Sequence, residues 1–265
     1  MQQSLNSTPI GNENFDSLGG EFYQYSGFEL AGATNSNAGL SSLPSGCVVT
    51  PLPGPPATVA TGTGVLLDGG TITLTGPGGS GLSGVTIPEK KNAYELNFSG
   101  AGATINGNFV PGTYTLAGSG GKDVGPFNVS INVPTILTVT NMPSSVTRSA
   151  GLTLNWTGGN SSDPVLIRGD ATNLVNGVQT GATFACLTTA GAGSFTVPAS
   201  ILNQLPPVSS AAITAGTAVG GINVVWYVGT FPVLGSACSA PLTAGGSTNS
   251  TLGAGDTTVA VVPFQ

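Results

Sequence analysis

The stretch TYTLAGSGGKDVGPFNVSINV, residues 113–133, decides the fold. On both sides of its glycine-rich centre, apolar residues alternate with small or polar ones, which is the period of an antiparallel strand covered on one face. The four glycines and Pro126 between the two runs predict a hairpin connection, with glycines at left-handed positions and the proline at the start of the outgoing strand. Lys122 and Asp123 are predicted to be its solvated tip and to form a weak ion pair.

The same alternation recurs along the chain, for example in TITLTG, AYELNFSG and LTLNWTGG, and INVVWYVG is also interpreted as a strand. The 42 glycines and 19 prolines supply the turns between short strands, and PASILNQLP is the one plausible helical turn. We therefore predict an all-β protein with two Ig-like or related antiparallel β-sandwich domains in tandem and an extended N-terminal arm. The predicted boundaries are 1–46 for the arm and linker, 47–134 for the first domain and 135–265 for the second.

Charged residues make up only 6% of the chain, where roughly 25% is usual, and the net charge is −6. Five scattered basic residues cannot form the stripe that nucleic acid or an anionic membrane surface requires. No apolar run approaches the roughly 20 residues of a membrane helix, so we predict no membrane span. The N-terminus MQQSLNSTPI does not resemble a signal peptide; we expect that a native signal was removed and that the protein is extracellular or at the cell surface.

The chain has three cysteines and no histidine. No pair forms C-x-x-C, so a zinc site is not expected, and we predict no metal and no cofactor. In an oxidising compartment the cysteines predict one disulfide and one leftover thiol. Cys186 could pair with Cys238 within one domain or with Cys47 across the two, and the spacing does not decide between them.

Catalytic chemistry has little support in the sequence. Without histidine, the usual Ser-His-Asp and Cys-His arrangements are absent. Two carboxylates could still hydrolyse a glycosidic bond, but the acidic residues are scattered and several lie on predicted turns. The glycine-rich GSGGKDVG lacks the lysine–hydroxyl ending of a phosphate loop, the loops at 159–164 and 168–173 are interpreted as ordinary turns rather than calcium sites, and the RGD at 168–170 as a coincidence.

The N-terminal segment NENFDSLGGEFYQYSGFEL, residues 12–30, differs from the rest because it combines many aromatics with acidic residues and no basic residue. It could pack as an ordinary first strand or two, or it could be disordered. Alternatively, it could be an arm that docks on a neighbouring subunit by strand addition, with aromatic side chains in pockets along a sheet edge. The partner-binding residues predicted for the arm are Phe15, Phe22, Tyr23, Tyr25 and Phe28.

Several phrases in residues 45–207 resemble, in order, the C-terminal region of uncharacterised secreted or surface proteins of Acidobacteria. The resemblance is carried by Leu66–Gly70, Pro111–Thr113, Gly118–Phe127, Thr147–Gly151, Trp156–Gly159, Cys186 and Ser194–Pro198. It implies a β-sandwich and no catalytic residues. The arm before Cys47 has no counterpart in it, and Cys238 is an addition.

Together these observations predict a secreted, non-enzymatic structural protein. It would be a self-assembling surface, fibre or adhesin subunit, forming a homo-oligomer or filament through strand addition by the arm. The first alternative is a carbohydrate-binding module that stacks exposed aromatics such as Tyr23, Tyr25 or Trp226–Tyr227 on a glycan. The second alternative is a glycoside hydrolase or other hydrolase.

Overall fold

The computed structural model describes residues 17–21, 23–24, 46–52, 65–97, 107–175, 178–230, 233–234, 236–247 and 250–265. Across these residues the protein is all-β, and every pair of neighbouring strands is antiparallel. The described helices are short: the 3₁₀ turns Arg148–Ala150 and Ala190–Ala192, and the α-helices α1 (Ala199–Leu202) and α2 (Ser210–Thr214).

The strands follow in chain order. The first ten are β1 (Ser17–Glu21), β2 (Tyr23–Gln24), β3 (Cys47–Leu52), β4 (Val65–Leu66), β5 (Ile72–Thr75), β6 (Val85–Thr86), β7 (Glu89–Lys90), β8 (Ala93–Asn97), β9 (Gly112–Gly118) and β10 (Phe127–Val133). The next six are β11 (Thr138–Val139), β12 (Leu152–Thr157), β13 (Pro164–Val175), β14 (Val178–Thr189), β15 (Ser194–Val197) and β16 (Ala218–Tyr227). The last are β17 (Gly229–Thr230), β18 (Val233–Leu234), β19 (Ser236–Cys238), β20 (Ser250–Leu252) and β21 (Gly255–Val261).

The strands belong to two compact units, and neither unit is one continuous segment. The first unit comprises Met1–Gly39, Val59–Ile136 and Val228–Ala254. The second comprises Leu40–Thr58, Leu137–Tyr227 and Gly255–Gln265. Thus β3, placed by the sequence in the first domain, belongs to the second unit, and β17–β20, placed in the second domain, belong to the first.

In the first unit, a four-stranded sheet has the order β10-β9-β5-β6 and a three-stranded sheet the order β1-β8-β7. The predicted hairpin is present, because β9 and β10 pair from Gly118 opposite Phe127 to Gly112 opposite Val133. All four apolar residues of β10 that were predicted to share a face are buried, as are Tyr94 and Leu96 of β8. Alternation of apolar and polar residues therefore predicted the buried face correctly.

In the second unit, a five-stranded sheet has the order β21-β16-β13-β14-β3 and a three-stranded sheet the order β11-β12-β15. The predicted face of Leu152, Leu154 and Trp156 on β12 is buried. The buried face of the larger sheet includes Ile167, Phe184, Ile222 and Trp226, so the two apolar faces form the core of a sandwich. The predicted helical turn is α1; α2 was not predicted, and Ser209 caps it by accepting the N–H of Ala212 at 3.1 Å.

Glycine makes room for phenylalanine at two cross-strand pairs, one in each unit. Gly118 lies opposite Phe127 and Gly169 opposite Phe184. A Cβ added at either glycine would overlap the ring of the phenylalanine opposite. The rings therefore lie across neighbouring backbone that a larger residue would block.

The disulfide joins Cys47 of β3 to Cys186 of β14, one of the two pairings that the sequence left open. The two residues are directly opposite in the register of the strands, with Cα atoms 4.1 Å apart. Cys186 is fully buried. The bond therefore fixes the edge strand β3 to the rest of its sheet.

Replacing both half-cystines, as Cys47→Ala with Cys186→Ala, is expected to lower the free energy of unfolding by about 2–5 kcal/mol, because the bond closes a loop of 139 residues in the unfolded chain. Urea unfolding under non-reducing conditions measures the loss. Cys238→Ser is the matched control and should leave stability nearly unchanged; equal losses in both variants would contradict this role for the disulfide.

Candidate functional site

Two glycine-rich loops of the first unit interlock, and we call residues 67–70 and 119–125 the loop clasp. The Asp68 carboxylate accepts the N–H of Gly70 at 2.8 Å and that of Lys122 at 3.2 Å. In return, the Asp123 carboxylate accepts the N–H of Asp68 at 3.0 Å, and the carbonyl of Asp68 accepts the N–H groups of Asp123 and Val124. Each aspartate thus satisfies backbone donors of the other loop.

A third segment closes the loop clasp. Thr243 donates its hydroxyl to the carbonyl of Lys122 at 2.8 Å, and its N–H goes to the carbonyl of Asp123 at 3.0 Å. The two loops can come this close only because glycines lie at their contact. A Cβ at Gly70 would meet the backbone of Gly120, and one at Gly121 would meet the Asp68 carboxylate. Three chain segments therefore hold one another mainly through backbone hydrogen bonds.

This arrangement corrects the prediction for the hairpin tip. Lys122 is exposed, as expected, but Asp123 is only partly exposed and Val124 is fully buried. The Asp123 carboxylate is turned towards Asp68 and accepts its N–H, instead of forming a solvated pair with Lys122. In this position the N–H groups of Lys122, Asp123 and Val124 find their acceptors on Asp68, and the Asp68 N–H finds its acceptor on Asp123.

The hydroxyl of Tyr94 is hydrogen-bonded to the loop clasp. It accepts the N–H of Gly69 at 3.1 Å and donates to the carbonyl of Gly70 at 3.0 Å. The side chain is buried, and desolvation by that burial raises the pKa of its phenol above the ordinary 10.0, with Asp68 and Glu89 adding to the effect. Tyr94 therefore acts as a neutral hydrogen-bonding support.

A shallow depression of about 350 Å³ adjoins the loop clasp and is lined by Asp68, Gly70, Thr71, Thr86, Ile87, Pro88 and Glu89. It brings together two of the carboxylates considered for hydrolysis, Asp68 and Glu89. Both are already occupied, because Asp68 accepts the backbone N–H groups described above and Glu89 accepts the N–H of Asn92 in the β7–β8 turn. Carboxylates held in this way stabilise turns.

Asp163 is a buried carboxylate of the second unit, 1% exposed. It accepts the N–H of Asn160 at 2.8 Å and the indole N–H of Trp226 at 3.0 Å. Trp226 has no exposed surface, so its ring, one of the candidates that the carbohydrate-binding alternative named, is not available for stacking on a sugar. Tyr227 is partly exposed on the opposite face of the sheet.

The RGD sequence lies in the middle of β13, the central strand of the five-stranded sheet. Arg168 and Asp170 project from the outer face, while Gly169 packs under Phe184 on the core side. Burial raises the pKa of Asp170 above its ordinary 3.8. A raised pKa means that stability present below about pH 4 is lost as the pH rises through the pKa of the folded state, because the surroundings of Asp170 disfavour its charged form.

The arm is described only in part. β1 pairs with β8, from Ser17 opposite Asn97 to Glu21 opposite Ala93, and Tyr23 lies in β2 opposite Leu66 of β4. Phe15, Phe22, Tyr25 and Phe28 lie outside the described residues. Cys238 lies in β19 opposite Ser250.

Among the described residues, no three His, Cys, Asp or Glu side chains converge as a metal site, and no helix has the length and hydropathy needed to cross a bilayer.

Sequence reasoning missed the structural roles of Asp68, Asp163 and Thr243. Asp68 and Asp163 carried a usable signal, since each precedes a glycine or proline in a turn. Thr243 carried none, because its partners lie more than a hundred residues away.

A scan of protein families and a search of curated proteins find nothing that matches this chain. Among solved structures, the chain matches the cryo-EM reconstruction of the native conformation of E. coli alpha-2-macroglobulin with a TM-score of 0.18 and 11% sequence identity. The match covers 81% of this chain and spans 13% of that one. A likeness this low supports no inference about fold or function.

Removing the Tyr94 hydroxyl, as Tyr94→Phe, is expected to cost about 1–3 kcal/mol of unfolding free energy near pH 7, because Gly69 and Gly70 lose their partner. Since the phenol pKa is raised in the folded state, the wild type should also lose stability as the pH rises above 10.0. Tyr94→Phe should lose less over the same interval. Denaturant unfolding at about pH 7 and about pH 11 measures both differences; parallel pH profiles would contradict the assignment.

Replacing Asp163 by alanine is expected to cost about 2–4 kcal/mol, because the buried indole N–H of Trp226 would have no acceptor and the N–H of Asn160 would lose its partner. Asp163→Asn is the matched control: it keeps one acceptor oxygen and should lose clearly less. Urea unfolding followed by tryptophan fluorescence reports the change. Equal losses in the two variants would show that the carboxylate oxygen is not what holds the indole.

Proposed function

We propose that this protein is a secreted, non-enzymatic structural subunit that assembles with copies of itself at a cell surface or in a fibre. Assembly proceeds by strand addition, in which the N-terminal arm of one copy completes a sheet of the next. The disulfide suits an oxidising compartment, and the scarcity of charge suits a protein that associates through sheet edges and faces.

The pairing of β1 with β8 is the observation that carries this proposal. β1 is an edge strand, and β8 lies between it and the two-residue strand β7. Without β1, the backbone of Ala93–Asn97 would present unpaired N–H and C=O groups along five residues. The same edge would accept Ser17–Glu21 from a second copy in the same register. Such an exchange requires no new contacts in the sheet, because the exchanged strand would form the contacts that β1 forms within one chain.

The sequence between the arm and the sandwich is compatible with such an exchange. Residues 25–45 join β2 to the strand that begins at Cys47, and they could span at most about 70 Å when extended.

The carboxylates of Asp68, Asp123 and Asp163 already accept hydrogen bonds within the protein. This favours a structural protein over a hydrolase, which needs two carboxylates free to face a substrate.

Arm exchange is tested by mixing two variants, Gly19→Cys and Glu95→Cys, each also carrying Cys238→Ser. These positions are directly opposite in the β1–β8 register, so oxidation should link them. The expected result is a disulfide-linked dimer formed only in the mixture, visible on non-reducing electrophoresis.

The matched control replaces Glu95→Cys by Asn128→Cys, an exposed position on β10, and should give no such dimer. Deleting residues 1–45 should abolish assemblies of more than two copies, as seen by light scattering and electron microscopy. A mixture that stays monomeric after oxidation, or an assembly unchanged by the deletion, would refute the proposal.

A further inference from the structure

The outer face of the five-stranded sheet is largely apolar, and several of its aliphatic side chains are exposed, although Leu166 and Thr172 of the central strand are buried. Five aliphatic side chains project from it with between 38% and 53% of their surface exposed: Val48, Leu174, Val219, Val259 and Val261. The only charged residues in the strand registers on this face are Arg168 and Asp170, within the described part of the sheet. We call this surface the valine face.

Two neighbouring cross-strand rows form its centre. One row runs Val259, Asn223, Arg168, Ala185, Val48, and the next runs Val261, Gly221, Asp170, Thr183, Thr50. Small side chains therefore surround the two charges, and the bulkier valines lie on the edge strands. Exposed aliphatic side chains grouped on one sheet face are typical of an interaction site.

We propose that the valine face binds the valine face of a second copy of this chain, in a twofold symmetric dimer. A twofold axis that lies between the sheets, across the strands and midway between the two rows, places Arg168 of each copy over Asp170 of the other. The same axis places Val259 of each copy over Val261 of the other. A single element thus supplies both halves of each contact, which is what an isologous interface requires.

The charges select this orientation. An axis along the strands would instead place Arg168 over Arg168 and Asp170 over Asp170, and like charges in contact disfavour association. In the antiparallel arrangement, Arg168 of the second copy supplies the positive partner for an Asp170 carboxylate that burial already places in an unfavourable environment.

The size of the face sets the expected strength. Five strands about 4.8 Å apart and four rows about 6.7 Å apart cover about 500 Å² per copy. The total of about 1,000 Å² is at the low end of specific interfaces. We therefore expect a dissociation constant on the order of 10–100 μM. This interface uses no residue of the arm, so it is independent of the strand exchange proposed above.

Sedimentation velocity of the full chain, from about 10 μM to about 1 mM, measures the association. Arg168→Asp and Asp170→Arg should each raise the dissociation constant more than about tenfold, because each places like charges in contact. The double variant Arg168→Asp/Asp170→Arg should restore it, and an equimolar mixture of the two single variants should form the heterodimer.

Val259→Lys tests the apolar contact and should weaken association to a similar degree. Val65→Lys is its matched control, since Val65 is 60% exposed in the first unit and should have no effect. Thermal unfolding confirms that each variant is folded. A wild type that stays monomeric at about 1 mM, single variants that associate normally, or a double variant that does not recover would overturn the proposal. Deleting residues 1–45 should leave this dimer intact, so the two associations are separable.

Discussion

The pairing of β3 with β14 is the constraint on which the second unit depends. It brings residues 47–52 to a sheet whose other strands begin more than a hundred residues later. Without it, β14 would be the edge of the sheet, with a twelve-residue strand open to other chains. β3 is a safer edge because it is half as long and contains Pro51, and the disulfide keeps it in place.

With so little charge available, the protein uses carboxylates as internal acceptors. Asp68 and Asp123 hold the loop clasp together, and Asp163 fixes the indole of Trp226. These bonds matter because glycine-rich turns leave many backbone N–H groups that the sheets do not satisfy. On the outer face of the five-stranded sheet, the charged side chains in the described registers are Arg168 and Asp170.

Alternation alone predicted a large part of the fold. The buried faces of β10 and β12, the β9–β10 hairpin and the helical turn α1 follow from local sequence, because side chains on a strand point to opposite faces in turn. The exchange of segments between units does not follow, since any of several similar strands could pair with β14. The Gly169–Phe184 pair is hidden for the same reason: a glycine in a strand indicates close approach but does not name the neighbour.

The candidate site was predictable only as a set of residue types. The sequence identified GSGGKDVG as a glycine-rich connection, but the loop clasp arises from contacts between residues 55 positions apart. The aromatics proposed for the arm remain a prediction. INVVWYVG is apolar at almost every position, so the sequence does not show which face of β16 is buried and which is the outer face of the sheet.

The disulfide has a mechanical consequence. A chain pulled from its two ends transmits tension through Cys47 and Cys186 and bypasses the residues between them. The bond spans 139 positions, so roughly 470 Å of extended chain is withheld from any stretching force. Only the N-terminal arm and the strands after Cys186 can lengthen. A subunit joined to its neighbours at the arm would thus extend in the arm and in the strands after Cys186, while residues 67–70 and 119–125 of the loop clasp stay unextended.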